Sequence, residues 1–346
     1  MNTRDADPGR GNGERVSPGA PAGGVMSRLT SRVRFTAMQA RVGVLVILCV
    51  FFTIRSPFFF TSTNLVNVLV NGAVIGIIGS AMTLLLVARQ VDVSVGSAIG
   101  FAGAVFAVFA RDYGLAWGVV GAIAAAMVIA GINAVAIIKF RVNSILTTLA
   151  TLVAFRGASK LVMDGRAVRV EGFRFLGRTR FEVGGIEIPV AVIVLLLVVA
   201  VFYVVMRLTK YGQQMYAIGA NPQAARLAGI PLERQVGIAF VLTGATVALA
   251  SMIVVSQVGA VSPTTGERME FLALTGVIVG GASLYGGRGS VIGTLVAILI
   301  LAVLDNGLVL LQVQSFWQEV SRGVLLLGAV VFDQLGRREA EVRMDV

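Results

Sequence analysis

The chain has 346 residues, 56% of them hydrophobic and only 14% charged. A soluble domain carries about a quarter charged residues, so these proportions exclude a water-soluble globule. The net charge of +11 then reads as the lysine and arginine bias of a membrane protein's inner side, not as a nucleic-acid footprint.

The first 41 residues are polar, hold Pro8, Pro18, Pro21 and six glycines, and read as a disordered cytoplasmic tail with no cleavable signal peptide. Ten apolar runs follow, at 42–60, 64–88, 93–110, 115–138, 143–163, 187–207, 235–258, 270–286, 290–311 and 317–333. Each is long and continuous, as spanning helices of about 20 residues require, and unlike the alternating segments of a membrane barrel. The expected fold is an all-α polytopic bundle with a transmembrane domain over 42–333 and a second polar tail over 334–346. Arg28, Arg32, Arg34 and Arg41 place the N-terminus in the cytoplasm, and an even span count returns the C-terminus there. Gly72 and Gly76, Gly96 and Gly100, Gly276 and Gly280, and Gly289 and Gly293 each recur at four residues, which predicts closely approached helices. Cys49 is the one cysteine and forms no internal disulfide; no histidine is present, which removes histidine metal sites and proton relays.

Polar residues between or within the runs are the pointers to function. Asp92 and Ser94 lie in Arg89-Gln-Val-Asp-Val-Ser-Val-Gly96. Asp92 reads either as a cap on the third helix or as a helix break lining a conduit or its gate. Asn143 and Ser144 are placed to cap the fifth span, Arg156 falls late in it, and Asp305-Asn306 lies deep in the ninth run, where a carboxylate must face protein or water. The outer loop, 164–187, breaks the charge rule with Arg166, Arg169, Arg174, Arg178 and Arg180. It reads as a solvated loop or as an electropositive landing surface for an acidic external partner, with Arg174, Arg178 and Arg180 as its contacts. Gly184-Gly185 in that loop predicts a small hairpin.

No catalytic or metal site is expected. A phosphate-binding loop needs glycine-lysine followed by serine or threonine, and none of the three lysines follows a glycine. The run Gly280-Gly-Ala-Ser-Leu-Tyr-Gly-Gly-Arg-Gly-Ser290 reads instead as a tight turn between two spans.

One polar island, 208–234, stands apart. Asn221-Pro222 opens a short helix there and Gly229 closes it. A capped helix at a membrane surface is a docking element for a partner that supplies energy.

Four stretches carry a family resemblance: Val91-Asp-Val-Ser-Val-Gly-Ser97, Val142 to Gly157, Tyr211 to Ile230, and Gly280 to Ser290 followed by Asn306-Gly307. In that order, over Pro57 to Asp333, the chain resembles the permease subunits of ribose-type ABC sugar importers of the bacterial inner membrane. The resemblance implies two permease chains forming a conduit, cytoplasmic ATPase subunits that bind ATP and magnesium, and an external solute-binding protein. No cofactor is then expected on this chain. On that model Asn221, Pro222, Ala224, Ala225, Arg226, Gly229 and Ile230 form the coupling helix, with Ala224-Ala225 as a small contact face. Asp92, Ser94, Asn143, Asp305 and Asn306 are then candidates for the pathway or gate. Many members carry glutamate where this chain has Gln223. Related permeases for branched-chain amino acids or a furanose-like signalling molecule share the architecture. An ion-coupled secondary transporter would instead want inverted repeats and midplane ionisable groups.

Overall fold

The computed structural model describes residues 23–184 and 186–342. Gly185 and much of the expected N-terminal tail fall outside them. Contacts divide the chain into two units, residues 1–40 and 41–346. Helix α1, Gly23–Arg55, starts inside the stretch read as a tail.

The second unit is a helical bundle, as the composition requires. In a bilayer every backbone N–H and C=O must find a partner within the chain, so apolar runs fold as helices. Two of these helices are central, α2 (Ser62–Val87) and α10 (Leu232–Val258). Helix α2 packs against α7 (Val190–Leu208), α10, α11 (Met269–Val279) and α12 (Val291–Leu310). Helix α10 also meets α3 (Val95–Tyr113) and α4 (Leu115–Ile138), and α5 (Ser144–Val162) lies on α3 and α4. A continuous core of Ile77, Leu85, Ile99, Phe240 and Val277 joins them.

Among the described residues, eight helices are long and apolar enough to cross a membrane: α1, α2, α3, α4, α5, α7, α10 and α12. Two of the ten expected runs fall short of that measure. The run 270–286 contributes only the eleven residues of α11, about 16 Å of helix against a hydrocarbon core about 30 Å thick. The run 317–333 sits in α13, Ser315–Val342, where Glu319, Arg322 and Asp333 dilute the apolar stretch.

Glycine permits the closest approaches. A side chain at Gly76 would strike Leu195 of α7, with a Cβ only 2.5 Å from its Cδ1. The loop read as outer, between α5 and α7, holds strand β1 (Val168–Arg169), short helix α6 (Phe175–Arg178) and strands β2 (Arg180–Val183) and β3 (Ile186–Pro189). Strands β2 and β3 pair antiparallel with Val183 opposite Ile186, which is the expected hairpin. Strand β1 pairs with β4 (Ala260–Val261), stitching this loop to the end of α10.

Candidate functional site

The polar island folds as two short helices, α8 (Lys210–Ala220) and α9 (Pro222–Leu227). The local chemistry follows the sequence. The Asn221 side chain accepts from the amides of Gln223 and Ala224, both at 3.0 Å, and Pro222 occupies the first helical turn, where its missing N–H costs nothing. Gly229 takes the left-handed conformation (φ +78°) that ends α9. The Ile230 amide then reaches back to the Ala225 carbonyl at 3.0 Å.

This pair of helices is fastened to the bundle by its far end. Arg89, just beyond α2, donates to the carbonyls of Gly219 (2.6 Å) and Ala220 (2.9 Å). Those are the orphan carbonyls of a helix C-terminus, where a cation is also favoured by the helix dipole. Tyr216 donates to the Gly289 carbonyl at 2.8 Å. The Gly287 amide donates to Val87 at 2.8 Å. A Cβ at Gly219 would lie 1.7 Å from that same Val87 oxygen. The glycine-rich run 280–290 is therefore a turn, as expected, with Gly286 and Gly287 both left-handed so that backbone can meet backbone here. The phenol of Tyr211, pushed up by burial, donates to the Gln235 carbonyl at 3.0 Å and ties α8 to α10.

The two faces of α9 differ. Asn221, Ala224, Arg226 and Gly229 are exposed, and Leu227 is 91% exposed. Ala225 is only 4% exposed and belongs to the core, and Ile230 packs against it. The expected Ala224-Ala225 contact face is thereby corrected: residues adjacent in sequence point about 100° apart on a helix, so only Ala224 faces out. Leu227 went unnoticed in the sequence, although a leucine beside Arg226 in a solvated helix was the available signal. Arg226 meets Glu233 at 3.4 Å, both well exposed, a pairing worth little.

The second candidate region is the break between α2 and α3. Asp92 is buried and accepts from both the amide (2.8 Å) and the hydroxyl (2.6 Å) of Ser94. Ser94 in turn accepts from Asn133 of α4 at 2.9 Å, and Asn133 accepts from Thr151 of α5 at 2.9 Å. Four buried polar side chains thus bond to one another across the break and two helices, which offsets part of the cost of burying them. Asp92 accepts from Ser94 and not from the first turn of α3, and both side chains are buried. Asn143 is the cap of α5, accepting from Ile145 at 2.9 Å and Leu146 at 3.4 Å. Nearby, Arg156 reaches Glu270 of α11 at 3.7 Å and the Thr265 carbonyl at 3.2 Å.

Asp305 and Asn306 do face a cavity, of about 390 Å³, shared with Asn71, Glu267, Gln318 and Arg322. Asp305 is not alone there: Arg322 of α13 donates to it at 2.9 Å. Asn306 and Asn64 of α2 exchange two amide hydrogen bonds, at 2.9 and 2.8 Å.

The loop arginines are all exposed, but two are engaged. Arg178 donates to the carbonyls of Gln257 and Val258 at the end of α10, both at 2.9 Å. Arg180 pairs with Glu187 across the hairpin at 2.6 Å.

Residues 64–330 match a family model described as the permease component of the branched-chain amino acid transport system. The ribose import permease protein of Bacillus subtilis (strain 168) is 35% identical, over 88% of this chain and 95% of that protein. That of Escherichia coli (strain K12) is 33% identical, over 85% and 92%. The L-arabinose transport system permease protein of Escherichia coli (strain K12) is 32% identical, over 88% and 93%. No solved structure matches.

Proposed function

The chain belongs to the branched-chain amino acid transport system / permease component family, and from that premise we propose that it is the membrane subunit of an ATP-driven sugar importer. It is a transport subunit and not an enzyme. Its cargo is a monosaccharide of the ribose or arabinose kind, delivered by an external solute-binding protein. ATP and magnesium belong to separate ATPase subunits on the cytoplasmic side, where both termini of this chain also lie. A second permease chain completes the conduit.

One observation carries this reading: the likeness to ribose and L-arabinose permeases runs through nearly the whole of each protein, not through a shared fragment. The exposed Leu227 supports the coupling role. Left in water it gains nothing, whereas seating a leucine in an apolar groove is worth about 1.5–3 kcal/mol. Closure of the ATPase pair would then pull on α9. The anchoring of α8 to Val87, Arg89 and Gly289 would pass that pull to the inner end of α2 and to the turn before α12.

Reconstituting the chain with its ATPase and binding protein tests the proposal. Uptake of radiolabelled D-ribose or L-arabinose should require ATP and should not respond to L-leucine as a competitor. Uptake that survives ATP depletion and collapses with the ion gradient would overturn it.

A further inference from the structure

The outer half of α2 carries Asn64, Asn67 and Asn71 at the spacing of one helix face. Asn64 is consumed by Asn306. Asn67 and Asn71 are exposed, and Asn71 lies nine residues into an apolar helix, about 14 Å from its outer end. An amide facing lipid at that depth leaves its hydrogen-bonding groups unmet, so such groups face protein or water.

Two cavities meet at this stripe. One, of about 470 Å³, opens beneath the outer loop and is lined by Asn67, Asn71, Arg178, Arg180 and Gln257. The buried Nε2 of Gln257 has no partner among the described residues. The other is the cavity of about 390 Å³ that holds Asp305 and Arg322. Asn71 borders both.

We infer that Asn67 and Asn71 form the contact surface over which a neutral polyhydroxyl solute passes from beneath the outer loop to the cavity at Asp305. The chemistry suits that cargo. A carboxamide offers donors and an acceptor together, as a sugar hydroxyl does. Of the charges on the Asp305 cavity, Arg322 holds Asp305, so neither is open to capture a charged solute, and the exposed carboxylate of Glu267 repels an anion. Amides of this kind guide a sugar without trapping it, which a conduit needs. The inference deepens the importer reading and rests on it for the class of cargo.

The test uses the assembled importer carrying Cys49→Ser, which frees this chain of cysteine. Asn67→Cys and Asn71→Cys should each react with a charged, membrane-impermeant methanethiosulfonate, read as a mass shift on this chain. Leu197→Cys, exposed on the outer surface of α7, should not react, and Glu182→Cys in the hairpin should. Silence at both asparagine positions, with Glu182→Cys reacting, overturns the water-lined track whatever the cargo. Asn71→Leu should lower uptake of the transported sugar about three- to tenfold, as expected for a lost hydrogen bond. Asn71→Gln should restore most of it, and ATP hydrolysis stimulated by the docked binding protein should stay unchanged in both. Unaltered sugar uptake by Asn67→Leu/Asn71→Leu overturns the contact role. A wild-type complex that carries no sugar overturns the importer reading and the polyol class together, while the labelling still decides the track.

Discussion

The element read as inner, α8–α9, and the loop read as outer, between α5 and α7, are each fastened by an arginine on a helix C-terminus and by a glycine against main chain, yet they present different surfaces. The inner element is fixed by backbone: Arg89 and Tyr216 donate to carbonyls, and Gly219 and Gly287 bring main chain against main chain at Val87. It then offers a lone exposed leucine. The outer loop is fixed by the β1–β4 pair, by Arg178 and by Gly177 against the Gln257 backbone, and offers charge. A part that transmits force needs stiff attachment, whereas a part that greets a diffusing partner needs only a field at its surface. Substitutions at the two attachments should therefore act on different steps.

The largest effect is expected where the inner attachment has no slack. Gly219→Val puts carbon where the Val87 carbonyl now sits. Overpacking of this sort costs about 1–3 kcal/mol or more, and here the relief is to push α8 off the end of α2. Uptake should be lost while the chain still inserts and still binds its ATPase on a pull-down. Normal uptake by Gly219→Val would break the contrast, because the attachment would then not be stiff.

The next effect sharpens the contrast by separating docking from seating. Leu227→Glu leaves the fold alone, since that side chain touches water, but removes an apolar anchor worth about 1.5–3 kcal/mol on burial. ATPase association should weaken about 10- to 100-fold, with a matching fall in uptake. Ala225→Glu is the instructive partner: it buries a charge at a position only 4% exposed, so it damages the seating first and cannot report docking cleanly. Equal ATPase affinity for Leu227→Glu and the wild type would remove Leu227 from the interface.

The sequence was most readable where structure is local. Asn221, Pro222 and Gly229 announce a helix start and stop because capping involves only near neighbours. The hairpin at Gly184 and the cap at Asn143 are local in the same sense. Apolar runs revealed the helices, and with them the all-α class. What stayed hidden depends on distant residues. Asp92 could be read as a cap or a gate only until Asn133 and Thr151, from two other helices, closed its network. Asp305 finds its partner, Arg322, on the next helix, beyond any local window. The inward turn of Ala225 follows from the core it meets, which no window of sequence contains. Asn67 and Asn71 are different: their spacing was plain, but apolar neighbours masked them as ordinary members of a span.

The smallest effect is expected at the outer loop, where it decides between a solvated loop and a landing surface. Arg174 is exposed, with no partner among the described side chains, so its charge is free to act at a distance. Arg180 already shares its charge with Glu187, and Arg178 is spent on the end of α10. Exposed pairs contribute about 0.2–1 kcal/mol, so Arg174→Glu should weaken an acidic binding protein about two- to fivefold, with the loss fading as salt rises. Arg180→Glu should do less to docking than to the hairpin, because it faces Glu187 with a like charge. Arg178→Glu should cost stability at the end of α10 instead, seen as a lower melting temperature of the purified chain. If all three reversals leave binding-protein affinity unchanged at low salt, the arginines serve only their own loop, and the outer face recruits its partner by shape.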